Sequence, residues 1–189
     1  KLDALANGNH QGIVAQIREY KTYSIEEILS SIEKGKTPLL VMCDGLEDPH
    51  NLGAILRTAD AVGVDGVIIG KHRSVSLTPT VAKVSTGAID TVKVAQVTNL
   101  TQTLKELKKA GFWVCGADSE KASDYRMANL TAPLVLVVGS EGFGLSRLVK
   151  EQCDFTVKIP MVGKISSLNA SVATAVLLYE IFSQRNPKK

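Results

Sequence analysis

Three short stretches of the chain are apolar without interruption: Leu39-Leu40-Val41-Met42-Cys43, Gly66-Val67-Ile68-Ile69 and Leu134-Val135-Leu136-Val137-Val138. None alternates with polar residues, so none suits a strand with one face in water. Runs of this kind are strands covered on both faces, as in parallel sheets flanked by crossover helices. Between the first two, Leu52, Ile55, Leu56, Ala59 and Val62 recur at helical spacing, and Gly63 closes the pattern. A strand, a helix and a strand in that order predict a βαβ unit and a parallel sheet. The same reading gives a helix over 79–87, a strand over 92–95, a helix over 100–110 and a strand over 112–116. A polar stretch to Leu130 follows, then the strand 134–138, a short helix over 146–152, a strand over 155–159 and a long helix over 168–184. Ahead of the first strand, Ser24 with Glu27 three residues on forms a capping box for a short helix that Gly35 ends.

A chain of 189 residues with 44% hydrophobic residues can bury a sizeable core as one domain, with or without a short appendage. The net charge of +3 permits an RNA partner without demanding one. Cys43, Cys115 and Cys153 are odd in number and far apart, and Cys43 and Cys115 fall in apolar runs; they read as reduced thiols of a cytoplasmic protein. His10, His50 and His72 form no ligand-spaced set with them, which predicts no structural metal. No apolar run reaches the roughly 18 residues that a membrane-spanning helix needs, and no membrane association is expected. The polar, mixed segment 1–37 reads as a linker with one short helix, and the chain begins within it, which predicts a preceding segment.

Three loops carry more chemistry than a connection requires. The first, Asp44 to Gly53, leads into the helix that carries Arg57; Asn51 is placed to cap that helix, and the bland alternative is a capped helix with a surface Arg57–Asp60 pair. The second is Gly139-Ser140-Glu141-Gly142-Phe143-Gly144-Leu145-Ser146. It lacks the Gly-Lys-Ser/Thr of a phosphate-binding P-loop and the spacing of a dinucleotide fingerprint. Its glycines allow close backbone approach to a ligand, while Glu141 repels a polyphosphate and suits a cationic centre or an arginine; the bland alternative is an ordinary strand-to-helix turn. The third, Ile159 to Asn169, enters a helix whose first turns are small residues, Ala170-Ser171-Val172-Ala173; on its own it reads more readily as a Ser/Asn-capped core helix. All three follow predicted strands, and parallel sheets place ligands beyond the C-terminal ends of their strands, so the loops are expected to converge on one rim.

These segments carry a resemblance. Asn51-Leu52-Gly53-Ala54-Ile55-Leu56-Arg57-Thr58-Ala59 resembles the first motif of the SpoU (TrmH-type) RNA 2′-O-ribose methyltransferases. Gly139-Ser140-Glu141-Gly142 with Gly144-Leu145 is similar to their second. Ile159-Pro160-Met161 with Ser167-Leu168-Asn169-Ala170-Ser171-Val172-Ala173 is similar to their third. The resemblance covers residues 38–184 and implies an α/β fold with a mostly parallel sheet flanked by helices and a C-terminal trefoil knot, a path that composition would never suggest. It implies S-adenosyl-L-methionine as cofactor, RNA as substrate and a homodimer. Asn9-His10-Gln11-Gly12-Ile13-Val14-Ala15 looks like the linker of ribosomal RNA members, so 1–37 is expected to be the tail of an N-terminal RNA-binding domain and 38–189 the catalytic domain. That tilts the substrate toward guanosine of large-subunit ribosomal RNA, as in the RlmB-like branch. A tRNA 2′-O-methyltransferase, a resistance-type ribosomal RNA methyltransferase and a non-catalytic RNA-binding module of the same fold are the alternatives. A Rossmann-type nucleotide enzyme fits poorly, since Asp44-Gly45-Leu46-Glu47-Asp48 is no glycine fingerprint.

Carried over residue by residue, Asn51, Arg57, Glu141, Ser167 and Asn169 match the family's catalytic set. Gly139, Ile159 and Leu168 match positions whose backbone holds the cofactor, and Met161 lies beside them. The resemblance gives Arg57, often from the partner subunit, the part of general base on the 2′-hydroxyl. A guanidinium keeps its proton at any ordinary pH, so a charged Arg57 that clamps the neighbouring phosphate and stabilises developing alkoxide charge is the other reading.

Overall fold

The computed structural model describes residues 19–119 and 122–187. The strands are β1 (Leu39–Asp44), β2 (Gly66–Gly70), β3 (Val94–Val97), β4 (Trp113–Ala117), β5 (Ser123–Asp124), β6 (Leu134–Gly139) and β7 (Phe155–Lys158). They form one sheet in the order β3-β2-β1-β6-β4-β7-β5, and each neighbouring pair runs parallel. The helices are α1 (Ile25–Ser30), α2 (Pro49–Val62), α3 (Pro79–Ser85), α4 (Ala88–Thr91), α5 (Leu100–Lys109), α6 (Arg147–Lys150) and α7 (Ala170–Arg185).

Alternation along the apolar strands explains the two-sided core. Val41 and Cys43 of β1, Val67 and Ile69 of β2, and Leu136 and Val138 of β6 face Leu52, Ile55, Leu56 and Ala59 of α2 and Leu177, Leu178 and Ile181 of α7. The intervening Leu40, Met42, Ile68, Val135 and Val137 face Ile28 of α1, Leu104 and Leu107 of α5, and Val149 of α6. The capping box of α1 forms as expected, with Ser24 Oγ accepting from Glu27 N–H and the Glu27 carboxylate accepting from Ser24 N–H. Ile28 then packs where any side chain on Gly66 would stand, 2.8 Å from that glycine's notional Cβ. Tyr23 N–H donates to Val94 O at 2.9 Å, so the segment before α1 runs along the open edge of β3. The part of 1–37 before residue 19, with Asn9 to Ala15, lies outside the described residues.

Several boundaries differ from the sequence reading. Helix α2 starts at Pro49, capped by Asp48, whose Oδ1 accepts from His50 N–H at 2.8 Å. Proline fits the first helical position because its fixed φ suits the helix and no N–H is needed there, so Asn51 lies inside the helix rather than at its cap. Helix α3 stops at Ser85 because Thr86 and Gly87 turn left-handed, and a separate turn, α4, carries the chain to Val92. That moves β3 to Val94–Val97. The polar stretch before Leu130 holds the two-residue strand β5 and a 3₁₀ turn, Tyr125–Met127. Helix α7 begins at Ala170, with Leu168 in the preceding loop and Asn169 as its cap.

Candidate active site

Strands β1 and β6 end level with each other, with Asp44 opposite Gly139, and the loops beyond them meet. The loop after β6 closes on itself: Ser140 N–H donates to Gly144 O at 3.2 Å and Gly144 N–H to Ser140 O at 3.0 Å. Gly142 and Gly144 take φ of 88° and 63°, a region that favours glycine. Gly139 has another constraint. A Cβ there would stand 2.1 Å from the carbonyl carbon and oxygen of Gly144, backbone against backbone. The loop is anchored below by Leu145 against Gly116 and above by Asp44, whose Oδ2 accepts from Ser146 N–H at 2.6 Å.

Glu141 sits at the tip of this loop, and its Oε1 accepts from three donors. Asn51 Nδ2 of α2 lies 2.9 Å away, Ala170 N–H of α7 lies 3.2 Å away, and Asn169 Nδ2 makes the third bond. Asn169 Nδ2 also donates to Asn51 Oδ1 at 2.9 Å, closing a triangle of side chains. The amide orientation of Asn169 follows from its cap: its oxygen accepts from Ser171 N–H at 3.0 Å and Val172 N–H at 3.3 Å, which turns its nitrogen toward the carboxylate. One oxygen of Glu141 therefore ties the loops after β1, β6 and β7 together, while Oε2 has no hydrogen bond among the described residues.

A cavity of about 650 Å³ opens beside this triangle, between the loops after β6 and β7 and the first turns of α7. Gly139, Glu141, Ile159, Met161, Ser167 and Leu168 line it, so six of the nine candidate positions meet there. Buried Val138, Val157 and Leu177 line it together with the exposed Phe143 and Met161 and the polar Ser140, Lys158 and Ser166. Small residues Ala170 and Ala173 of α7 form one wall, which accounts for the run of small side chains in the sequence. Asn51 and Asn169 stand behind Glu141 rather than in the wall. Arg57 is apart from them, exposed on α2 two turns beyond Asn51. It forms no ion pair among the described residues, and Asp60 instead accepts from Thr91 Oγ1 at 2.6 Å, so the surface Arg57–Asp60 pair does not form.

Sequence reasoning missed the pair Asp118–Lys150, 2.6 Å apart, which also lines the cavity. Its signal was available: Asp118 directly follows β4, on the same rim as the other loops. The three thiols stand away from this chemistry. Burial pushes Cys43 and Cys115 up to about 12 and Cys153 up to about 11, so all three stay protonated at neutral pH.

The cavity falls in the range usual for small-molecule sites. Its mixed apolar and polar lining and its open carboxylate oxygen suit an adenosyl group carrying positive charge better than a polyphosphate. Comparisons with known proteins agree. The model of the SpoU rRNA methylase family matches residues 38–179. YacO of Bacillus subtilis, described as a TrmH family tRNA/rRNA methyltransferase, is 53% identical over 99% of this chain and 76% of its own length. The crystal structure of the SpoU methyltransferase AviRb from Streptomyces viridochromogenes in complex with AdoMet superposes with a TM-score of 0.77 and 32% identity, over 85% of this chain and 63% of that one. A solved RNA 2′-O ribose methyltransferase gives 0.72 and 31%, over 90% of this chain and 60% of that one. The chain thus spans three quarters of the curated relative and somewhat less than two thirds of these solved chains.

Proposed function

The chain belongs to the SpoU rRNA methylase family, and from that premise we propose that it is an S-adenosylmethionine-dependent RNA methyltransferase acting on a ribose 2′-hydroxyl. Its parallel α/β fold is the family's fold, with which the C-terminal trefoil knot goes. The observation that carries the proposal is the cavity beside the Asn51–Glu141–Asn169 triangle, with Glu141 in its wall and Glu141 Oε2 making no hydrogen bond among the described residues. The cofactor, when bound, supplies a methyl group already activated on a sulfonium, so the protein has two tasks: to hold the 2′-oxygen in line and to manage its proton. Positioning of this kind is worth up to roughly 7–11 kcal/mol in ideal cases.

The peptide groups of Gly139, Ile159 and Leu168, with Met161 beside them, hold the adenosyl group. Ser167 offers a hydroxyl to the substrate side. Asn51 and Asn169 act through Glu141 as positioning residues, and Glu141 Oε2 meets the cationic centre or an incoming arginine. Arg57 does not reach the cavity of its own chain, so it acts across a homodimer. Its exposure and the exposed apolar residues Val172, Tyr179 and Phe182 along α7 support such a surface. The substrate is ribosomal RNA, with guanosine of the large subunit favoured, and residues 38–189 act as the catalytic domain behind an N-terminal RNA-binding domain.

Incubation with S-adenosylmethionine and ribosomal RNA lacking the modification tests this. Expected is one alkali-resistant phosphodiester bond, diagnostic of a 2′-O-methyl. Methylation of a base would refute the reaction type, and methylation of tRNA alone would refute the substrate. Arg57→Lys separates the two parts given to the arginine: the planar clamp predicts a fall of ~100-fold or more in kcat, the scale of losing one transition-state donor, with cofactor affinity and stability unchanged. Turnover near wild type would refute the clamp.

A further inference from the structure

The segment between Asp65 and Asp90 contains no acidic residue, yet it holds Lys71, His72, Arg73 and Lys83. Three of these are consecutive in the loop that leaves β2, and all three are exposed. Cys43 of β1 pairs with Ile69 of β2 and with Val138 of β6, so the chain leaves the sheet at Gly70 on the same level as at Gly139. The loop is fixed there from both sides. Lys71 N–H donates to Val97 O at 2.8 Å, and Val75 N–H donates to Leu46 O at 2.7 Å, in the loop that leads to Asn51.

Among the described residues no acid pairs with the charges on this loop. Five cations elsewhere are held by acids, Lys36 by Asp65, Lys108 by Asp154, Arg126 by Asp124, Arg147 by Glu151 and Lys150 by Asp118, while Arg57 is not. Neither Lys71 nor Arg73 forms an ion pair among the described residues. Glu47 and Asp48 stand on the neighbouring loop, but Asp48 accepts from the backbone and ring of His50. Arg73 also holds φ at 51°, a region that a long side chain rarely adopts, and such departures gather at functional positions. The enclosed Ser74 Oγ makes no hydrogen bond among the described residues, so it does not account for that conformation.

From these observations we infer that Lys71 and Arg73 form a second contact for the substrate, binding the sugar-phosphate backbone of RNA beside the target nucleotide. This rests on the RNA reading above. β2 and β6 are separated by β1 alone, which sets the loop about 10 Å from the cavity mouth by strand spacing, a span of a few nucleotides. The contact recognises phosphates and not bases, so it fixes register without choosing sequence.

The test uses the whole chain and a short fluorescein-labelled single-stranded RNA of mixed sequence, with binding followed by anisotropy at several salt concentrations. The variant is Lys71→Ala with Arg73→Gly, since glycine accepts the φ of position 73 freely. Loss of two phosphate contacts should flatten the slope of log K against log salt by about 1.4, with S-adenosylmethionine affinity unchanged by calorimetry. Lys34→Ala with Lys93→Ala, at the opposite end of the sheet, should leave the slope as in wild type. A wild-type slope in the Lys71/Arg73 variant, where the wild-type chain binds RNA, would overturn this assignment alone. Salt-independent or absent RNA binding by the wild-type chain would overturn the RNA reading and the assignment with it.

Discussion

Replacing Glu141 by alanine removes an acceptor that three donors share, and the donors do not lose equally. Asn51 is 5% exposed, and its Nδ2 has no other acceptor among the described residues. Leaving it unpaired costs about 1–3 kcal/mol. Asn169 keeps Asn51 Oδ1 as acceptor at 2.9 Å, so its loss is small. Ala170 N–H is in the first turn of α7, where free N–H groups are usual, but Ala170 is buried and water reaches it poorly. The sum is about 2–4 kcal/mol, and at about 2–4 °C per kcal/mol for a chain of this size the midpoint falls by roughly 4–16 °C. Glu141→Gln keeps a carbonyl oxygen at the hub and should cost under about 1 kcal/mol. Urea and thermal unfolding read the stability, calorimetry the cofactor affinity, and single-turnover methylation the chemistry. Glu141→Gln that folds and binds yet fails in turnover would locate the need for charge at Oε2. An alanine variant within about 0.5 kcal/mol of wild type, the usual range for inert surface positions, would refute the three-loop tie.

Gly139→Ala drives a Cβ to 2.1 Å from the Gly144 carbonyl, a backbone atom that cannot turn aside. It should cost about 1–3 kcal/mol and abolish S-adenosylmethionine binding by calorimetry. Arg185 is the clasp at the other end of α7: its guanidinium donates to the carbonyls of Thr37, Pro38, Leu130 and Ala132, with Ala132 at 2.6 Å. Arg185→Ala should lower urea stability by about 2–4 kcal/mol, with Arg185→Lys between the two. The thiols set an alkaline limit. Their folded-state values are raised, so the stability they contribute is full below the ordinary thiol value of about 8.5. It declines as pH rises toward about 12 for Cys43 and Cys115. Native protein at pH 8 should therefore react with a thiol reagent far more slowly than urea-unfolded protein, and equal rates would refute the burial argument.

The strands were legible because burial on both faces leaves a mark no other element makes. Leu39 to Cys43 and Leu134 to Val138 read directly, and the two-sided core confirms them. The boundary of α2 was not, because Asp48-Pro49 and Asn51 both carry start signals. The Asp48 cap and Pro49 set the start locally, and the Asn51 side chain is taken up by Glu141, 90 residues away. Strand β5 was invisible because two residues carry no period, and β5 exists only as an addition to β7. The convergence of the loops followed from parallel strand ends. The separation of Arg57 from the cavity did not, because its placement depends on which way α2 turns its polar face.

Within the chain, the distances in sequence explain why no single loop identifies the site. The bonds that close it join residues 90 and 118 positions apart, Asn51 with Glu141 and Asn51 with Asn169. Closing loops of that length has an entropic cost that no one hydrogen bond offsets. The triangle is therefore held by the packing of α2 and α7 on the sheet, whose common core includes Leu56 and Leu178. An acid in a glycine loop makes sense on this account. A phosphate-binding loop can be organised locally by its own N–H groups. This loop must instead be held by donors arriving from two distant helices, and a carboxylate is the group that can accept from several of them through one oxygen while leaving the other open.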